Sequence, residues 1–180
     1  MKTAVLFFIL LLALDSVSQT LNAKPMGTYH RSQLFGEAAG TGVGLSLHYE
    51  SMYWRGKNGI GFSAGAGLCP FIDAAAITVP FGLNYVHGDK YGFELGFGST
   101  PLIFTGEYAS DSEWMLYFLG GYRQSLLDGD LIGRIFFSPF LAKEGSILAS
   151  NLDVKGKFIP YGGVSLGILL KKQPRTNKHI

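Results

Sequence analysis

The chain has 180 residues, enough for one domain, and carries 16% charged residues where soluble domains average about 25%, with 25 glycines and 14% aromatic residues. Too few charges are present to cover an ordinary wetted surface, and a net charge of +2 without a basic stripe gives no footing for a nucleic-acid partner. A lone cysteine, Cys69, rules out an intramolecular disulfide and a thiolate metal site, and with no metal constellation or nucleotide loop in the sequence, no cofactor is expected.

Lys2 and the apolar run from Ala4 to Ala13 read as the positive and hydrophobic parts of a signal peptide, the run being too short to cross a bilayer. Ser16 and Ser18 place small residues before a cut that leaves Gln19 first, with Ala23 as a later alternative. The expected organisation is a leader over 1–18, an N-terminal lead-in over 19–35, a barrel over 36–170 and a polar basic tail over 171–180. Beyond the leader no run approaches the ~20 apolar residues of a membrane helix, so any membrane crossing must use strands. Strands in hydrocarbon require a closed barrel, because an open edge leaves backbone amides unpaired.

Strand periodicity follows. Gly36 to Trp54 alternates small or polar residues (Gly44, Ser46, His48, Glu50) with apolar ones (Leu45, Leu47, Tyr49), and reads as one strand. Ile60 to Leu68 repeats the pattern after a polar turn at Arg55 to Gly59. Ile77 to Tyr85 and Tyr91 to Phe97 form the third and fourth, joined by His87-Gly88-Asp89-Lys90. Trp114 to Gln124 is apolar on both faces as far as Gly121. Leu131 to Leu141 sets Arg134 and Ser138 on one face, and Phe158 to Leu170 sets Val164, Leu166 and Ile168 against Tyr161, Gly163, Ser165 and Gly167. Seven strands are clear; even numbers from eight upward are the rule for bacterial single-chain barrels, so the eighth is sought in Thr100 to Tyr108 or Ser146 to Val154. Ala109 to Glu113 and Gly145 to Lys157 are expected as long outer loops.

One face of each strand is large and apolar, the other glycine-rich with scattered charge. The second face holds too few Lys, Glu and Asp to serve as a solvated exterior, which makes it the lumen of a narrow barrel. The fold class expected is therefore all-β, a small antiparallel up-and-down transmembrane β-barrel of eight strands after a cleaved signal peptide, located in the cell outer membrane.

The inward set brings His48, Glu50, Glu94, Arg123 and Arg134 into that lumen, where Glu50 and Glu94 are expected to neutralise the two arginines and close the pore. Ser46, His48 and Glu50 also share the inward face, a nucleophile, a base and an acid. Residues two apart on a strand stand about 7 Å apart, too far for a direct Ser to His hydrogen bond unless a side chain leans over, and no catalytic residue is assigned. Tyr49, Tyr53, Trp54, Tyr85, Tyr91, Trp114 and Tyr122 fall near strand ends, where amphipathic rings suit the membrane boundary.

The segments Gly44 to Glu50, Gly121-Tyr122-Arg123, Gly133 to Phe140 and Pro160 to Gly167 together resemble the small outer-membrane barrel proteins of the Bacteroidota. The resemblance runs from about Gly36 to Leu170 and implies fold, outer-membrane location and signal-peptide export, with no substrate or catalytic residue to carry over. Where many outer-membrane barrels end on an aromatic residue read by the insertion machinery, this chain closes with Ile168-Leu169-Leu170 and a polar tail. The partners expected are outer-membrane lipid, the barrel insertion machinery and a surface partner of the outer loops. The functional reading is a non-enzymatic barrel of structural, adhesive or surface-interaction type. Its rivals are a narrow solute channel or sensor, a soluble lipocalin-like binder, which needs the reverse alternation, and a lipid-modifying enzyme.

Overall fold

The computed structural model describes residues 28–69, 76–105, 112–127, 130–143, 146 and 157–172. The expected signal peptide and most of the basic tail lie outside these residues, as do most of Ser146 to Val154 and of the two expected outer loops. Eleven strand segments are present: β1 (Thr28–Ala39), β2 (Leu45–Arg55), β3 (Asn58–Cys69), β4 (Ala76–Thr78), β5 (Phe81–Gly88), β6 (Tyr91–Phe104), β7 (Ser112–Leu126), β8 (Leu131–Phe137), β9 (Phe140–Leu141), β10 (Phe158–Ile159) and β11 (Gly162–Lys172).

They make eight staves, because β4 and β5, β8 and β9, and β10 and β11 are each one strand broken by a proline: Pro80, Pro139 and Pro160. Proline donates no ladder hydrogen bond, so pairing lapses there. The sheet continues through the breaks all the same, with Gly65 N–H bonded to Pro80 C=O at 2.8 Å and Ser138 N–H to Tyr161 C=O at 2.8 Å. Every neighbouring pair is antiparallel, and β11 pairs with β1 from Ala39↔Gly163 to Arg31↔Lys172, which closes the ring.

The eighth strand is the one that opens the ring. It begins at Thr28, within the segment expected as a lead-in, and the run read as a single strand from Gly36 to Trp54 is two strands, β1 and β2, joined at Gly40 to Gly44. Neither of the positions expected for it supplies it: Thr100 to Phe104 is the far end of β6, and Ser146 to Val154 lies almost wholly outside the described residues.

The barrel has two unlike ends. β1 begins and β11 finishes at the end that carries the short turns Gly56-Lys57 and Asp89-Lys90 and the passage from β7 to β8; at the other end 40–44 joins β1 to β2, β3, β6 and β9 finish, and β4, β7 and β10 begin. Gly56 adopts φ 63° in its turn, a conformation that favours glycine.

Polarity is inverted relative to a soluble protein. Leu47, Phe97 and Leu166 are 56%, 57% and 58% exposed on the outer wall, whereas Glu50 and Glu94 are buried to within 1% inside. Leaving each such large apolar side chain in water forgoes roughly 1.5–3 kcal/mol. Repeated around the wall, that cost is relieved only by an apolar surrounding.

Candidate functional site

The lumen is filled by side chains in three layers. At the turn end Tyr29, Met52, Trp54 and Val86 pack together. A polar layer follows, and toward the loop end a cluster including Val43, Leu102, Phe104, Met115, Tyr117, Phe140 and Ile159 closes the interior with apolar volume. The inward Met115, Tyr117 and Leu119 explain why β7 reads as apolar on both faces. Trp54 belongs to this interior at 4% exposure, so it is not one of the boundary rings anticipated from its place at a strand end; Trp114, 64% exposed, lies on the outer wall.

All five residues placed in the lumen from the sequence are buried there. Arg123 is the hub of the polar layer. Its Nη2 donates to Glu50 Oε1 and Oε2 at 3.1 and 2.9 Å and to Glu94 Oε1 at 3.0 Å, and its Nε donates to Glu94 Oε2 at 3.2 Å. Register makes room for these side chains, since Arg123 stands opposite Gly92 and Glu94 opposite Gly121. Arg123 also stands directly opposite Arg134 across β7 and β8, a like-charge placement that destabilises unless carboxylates lie between. Glu50 and Glu94 supply them, for Arg134 lies 3.9 Å from Glu50, 3.6 Å from Glu94 and 3.7 Å from Glu37.

Glu37, Gln33, Asn84 and Phe35 complete the layer and were not singled out in the sequence. Gln33 and Asn84 both donate to Glu50, the latter at 2.7 Å. The guanidinium of Arg134 is held chiefly between two rings, Phe35 at 4.2 Å and Phe136 at 5.1 Å, and Phe35 stacks in turn on His48 at 4.9 Å. The signal that could have found Gln33, Phe35 and Glu37 is their period of two, which continues backward from Glu37 to Tyr29 once β1 is recognised as a strand.

Glu37 also ties down the connection between β1 and β2. This segment turns into the barrel mouth, with Gly40, Thr41 and Gly42 buried. Thr41 Oγ1 and Gly42 N–H donate to Glu37 Oε1 at 2.8 and 3.0 Å, while Thr100, Thr78 and Tyr161 donate to the carbonyls of Thr41, Gly42 and Val43 at 2.8, 2.9 and 2.5 Å. The inward path is bought with backbone strain: Ala39 at φ 60°, ψ −153° occupies a region essentially reserved for glycine, and the β-branched Val43 sits at φ 65°.

The direct Ser46 to His48 hydrogen bond, thought too long from the strand rise, does form: Ser46 Oγ and His48 Nε2 are 2.8 Å apart, the imidazole leaning along the strand. It does not make a catalytic relay. Such a relay places the serine and the orienting acid on opposite ring nitrogens, whereas Glu37 Oε1 approaches the same Nε2 at 3.7 Å. The pair is also covered, since a Cβ built on Gly42 would meet Ser46 Oγ at 2.2 Å. A second Ser and His pair lies on the outer wall, His30 Nε2 and Ser51 Oγ at 2.7 Å, with no acid hydrogen-bonded to His30 among the described residues. Nor do the described residues hold a group of three His, Cys, Asp or Glu side chains able to bind a metal.

The site is thus a sealed ionic layer within a closed, eight-stave, outward-apolar barrel, the build of a barrel that stands in lipid. No protein-family model matches the chain, and no curated protein matches it. Among solved structures, the crystal structure of Neisserial surface protein A is similar, with a TM-score of 0.48 and 11% sequence identity over 83% of this chain and 99% of that one.

Proposed function

We propose that this chain is an outer-membrane β-barrel protein of surface-interaction type, whose lumen is closed and whose loop end meets partners outside the cell. The observation that carries the reading is the inverted polarity of a closed ring: an apolar wall outside and the Glu37, Glu50, Glu94, Arg123, Arg134 network inside. A barrel of eight strands has an interior just wide enough for side chains to fill, and here three packed layers fill it. Short turns at the end where β1 begins and β11 finishes, and longer stretches of sequence between the strands that meet the other end, match the asymmetry of barrels whose loops face outward. No step in this role calls on a catalytic group.

The test is reconstitution in lipid vesicles together with a surface label. Vesicles carrying the protein should remain impermeable to a small sugar, and an epitope inserted within 142–157 should be detected on intact cells. Sugar entry would favour a solute channel instead, and an epitope reached only after permeabilisation would remove the loops from the surface.

A further inference from the structure

On the outer wall near the turn end, β1 and β2 carry a polar spot in an otherwise apolar surface. Their register sets Ser32 directly opposite Ser51 and His30 opposite Tyr53, on the face that turns Leu47 and Tyr49 outward. Each serine is crossed by a ring from the other strand. The Tyr49 hydroxyl donates to Ser32 Oγ at 3.0 Å, and His30 Nε2 lies 2.7 Å from Ser51 Oγ. Both serines are buried under these rings, and the rings of Tyr53 and His30 meet edge to face with centroids 4.9 Å apart. The serines are therefore satisfied within the wall, while the groups that cover them are not. In the tautomer whose Nε2 accepts from Ser51, His30 Nδ1 carries the hydrogen. Among the described residues, neither that nitrogen nor the hydroxyl of the exposed Tyr53 has a hydrogen-bond partner.

Hydrocarbon offers such atoms no partner, whereas the layer of lipid headgroups does. Tyr53 shares the turn end with the outward rings of Tyr85, Tyr91 and Tyr122, the level at which amphipathic rings meet headgroups. Positive charge gathers beside it. Arg55 ends β2 on the same face as Tyr53, Lys57 follows in the turn, and both are exposed. Lys172 and Lys171 stand opposite Arg31 and Ser32 in the register of β11 with β1. The acids of this end are Asp89, in the turn from β5 to β6, and Asp128 and Asp130, between β7 and β8. Among the described residues Arg55 has no ion pair. Two donors and an uncompensated cation at headgroup depth complement an anionic phosphate ester. We propose that His30, Tyr53 and Arg55 bind the headgroup of an anionic phospholipid in the leaflet at the turn end. Arg55 meets the phosphate charge, His30 Nδ1 and the Tyr53 hydroxyl donate to its oxygens, and the acyl chains lie along the apolar wall. The site rests on the membrane reading above.

The experiment first refolds the protein and each variant into phosphatidylcholine vesicles, where a band that runs faster before boiling than after reports insertion. The same proteins in maltoside micelles, which carry no phosphate, are then titrated with phosphatidylglycerol, and bound lipid is counted by native mass spectrometry. One phosphatidylglycerol per barrel should be retained, about fivefold more tightly than phosphatidylcholine. Arg55→Gln and His30→Phe should each weaken retention about fivefold, the scale of one interfacial cation or one hydrogen bond. Lys90→Gln removes an exposed cation from the turn between β5 and β6 and should leave retention unchanged. Glycerol 3-phosphate in solution should not displace the lipid; displacement would replace the lipid by a soluble phosphate ester and overturn the proposal. Insertion without preference for phosphatidylglycerol, or a loss for Lys90→Gln equal to that for Arg55→Gln, would overturn the site and leave the barrel in its membrane. A chain that fails to insert would overturn both.

Discussion

Replacing Arg123 by methionine removes the hub of the lumen while keeping a side chain of similar length. Four charge-assisted hydrogen bonds at 2.9–3.2 Å disappear. The two carboxylates are then left unequal: Glu50 retains the Gln33 and Asn84 donors, whereas Glu94 retains only Arg134 Nε at 3.6 Å. Stranding a buried charge in this way costs about 3–5 kcal/mol, most of it at Glu94. Adding Glu94→Gln should therefore recover about 2 kcal/mol, a coupling within the range for groups in one network. The assay is urea unfolding of the barrel in lipid vesicles, followed by gel mobility and tryptophan fluorescence. A loss below about 1 kcal/mol for Arg123→Met, or simple additivity of the two changes, would refute the view that the network is what holds the lumen together.

Three further outcomes follow from the same geometry. Phe97→Arg on the outer wall should cost about 2–4 kcal/mol near the mid-membrane in vesicle unfolding, whereas a water-soluble barrel would tolerate it. Ala39→Gly should raise stability by about 1 kcal/mol in the same assay, because the relief of the positive φ, about 1–3 kcal/mol, exceeds the roughly 0.5–1 kcal/mol that glycine adds in chain entropy. Gly42→Ala should lower stability by about 1–3 kcal/mol, since its Cβ would meet Ser46 Oγ at 2.2 Å and push the inward segment from the mouth.

How far this molecule could be read from its sequence depends on which residues carry alternation. Strands such as Tyr91 to Phe97, with Leu95 and Phe97 outward and Glu94 inward, announce both their period and their polarity, and from them the closed barrel and the burial of Glu50, Glu94, Arg123 and Arg134 follow. β1 was not legible for two reasons. Its inward residues before Glu37 are Phe35, Gln33, Arg31 and Tyr29, a mixture of rings and polar groups that declares no polarity, and the mostly small residues from Gly36 to Gly44 keep an apparent alternation through the turn, so the fold-back at Gly40 leaves no mark. Glu37, Gln33 and Phe35 were lost with it. The Ser46 and His48 contact was missed because strand rise fixes Cα spacing but not where an imidazole leans.

Fractionation of cells that express the full chain, followed by gel migration with and without boiling, tests the central claim most directly. Recovery from the outer-membrane fraction only with detergent, and a band that runs faster before boiling than after, is the predicted result. Recovery from the aqueous periplasmic fraction without detergent would contradict it and mean that the apolar wall meets something other than lipid.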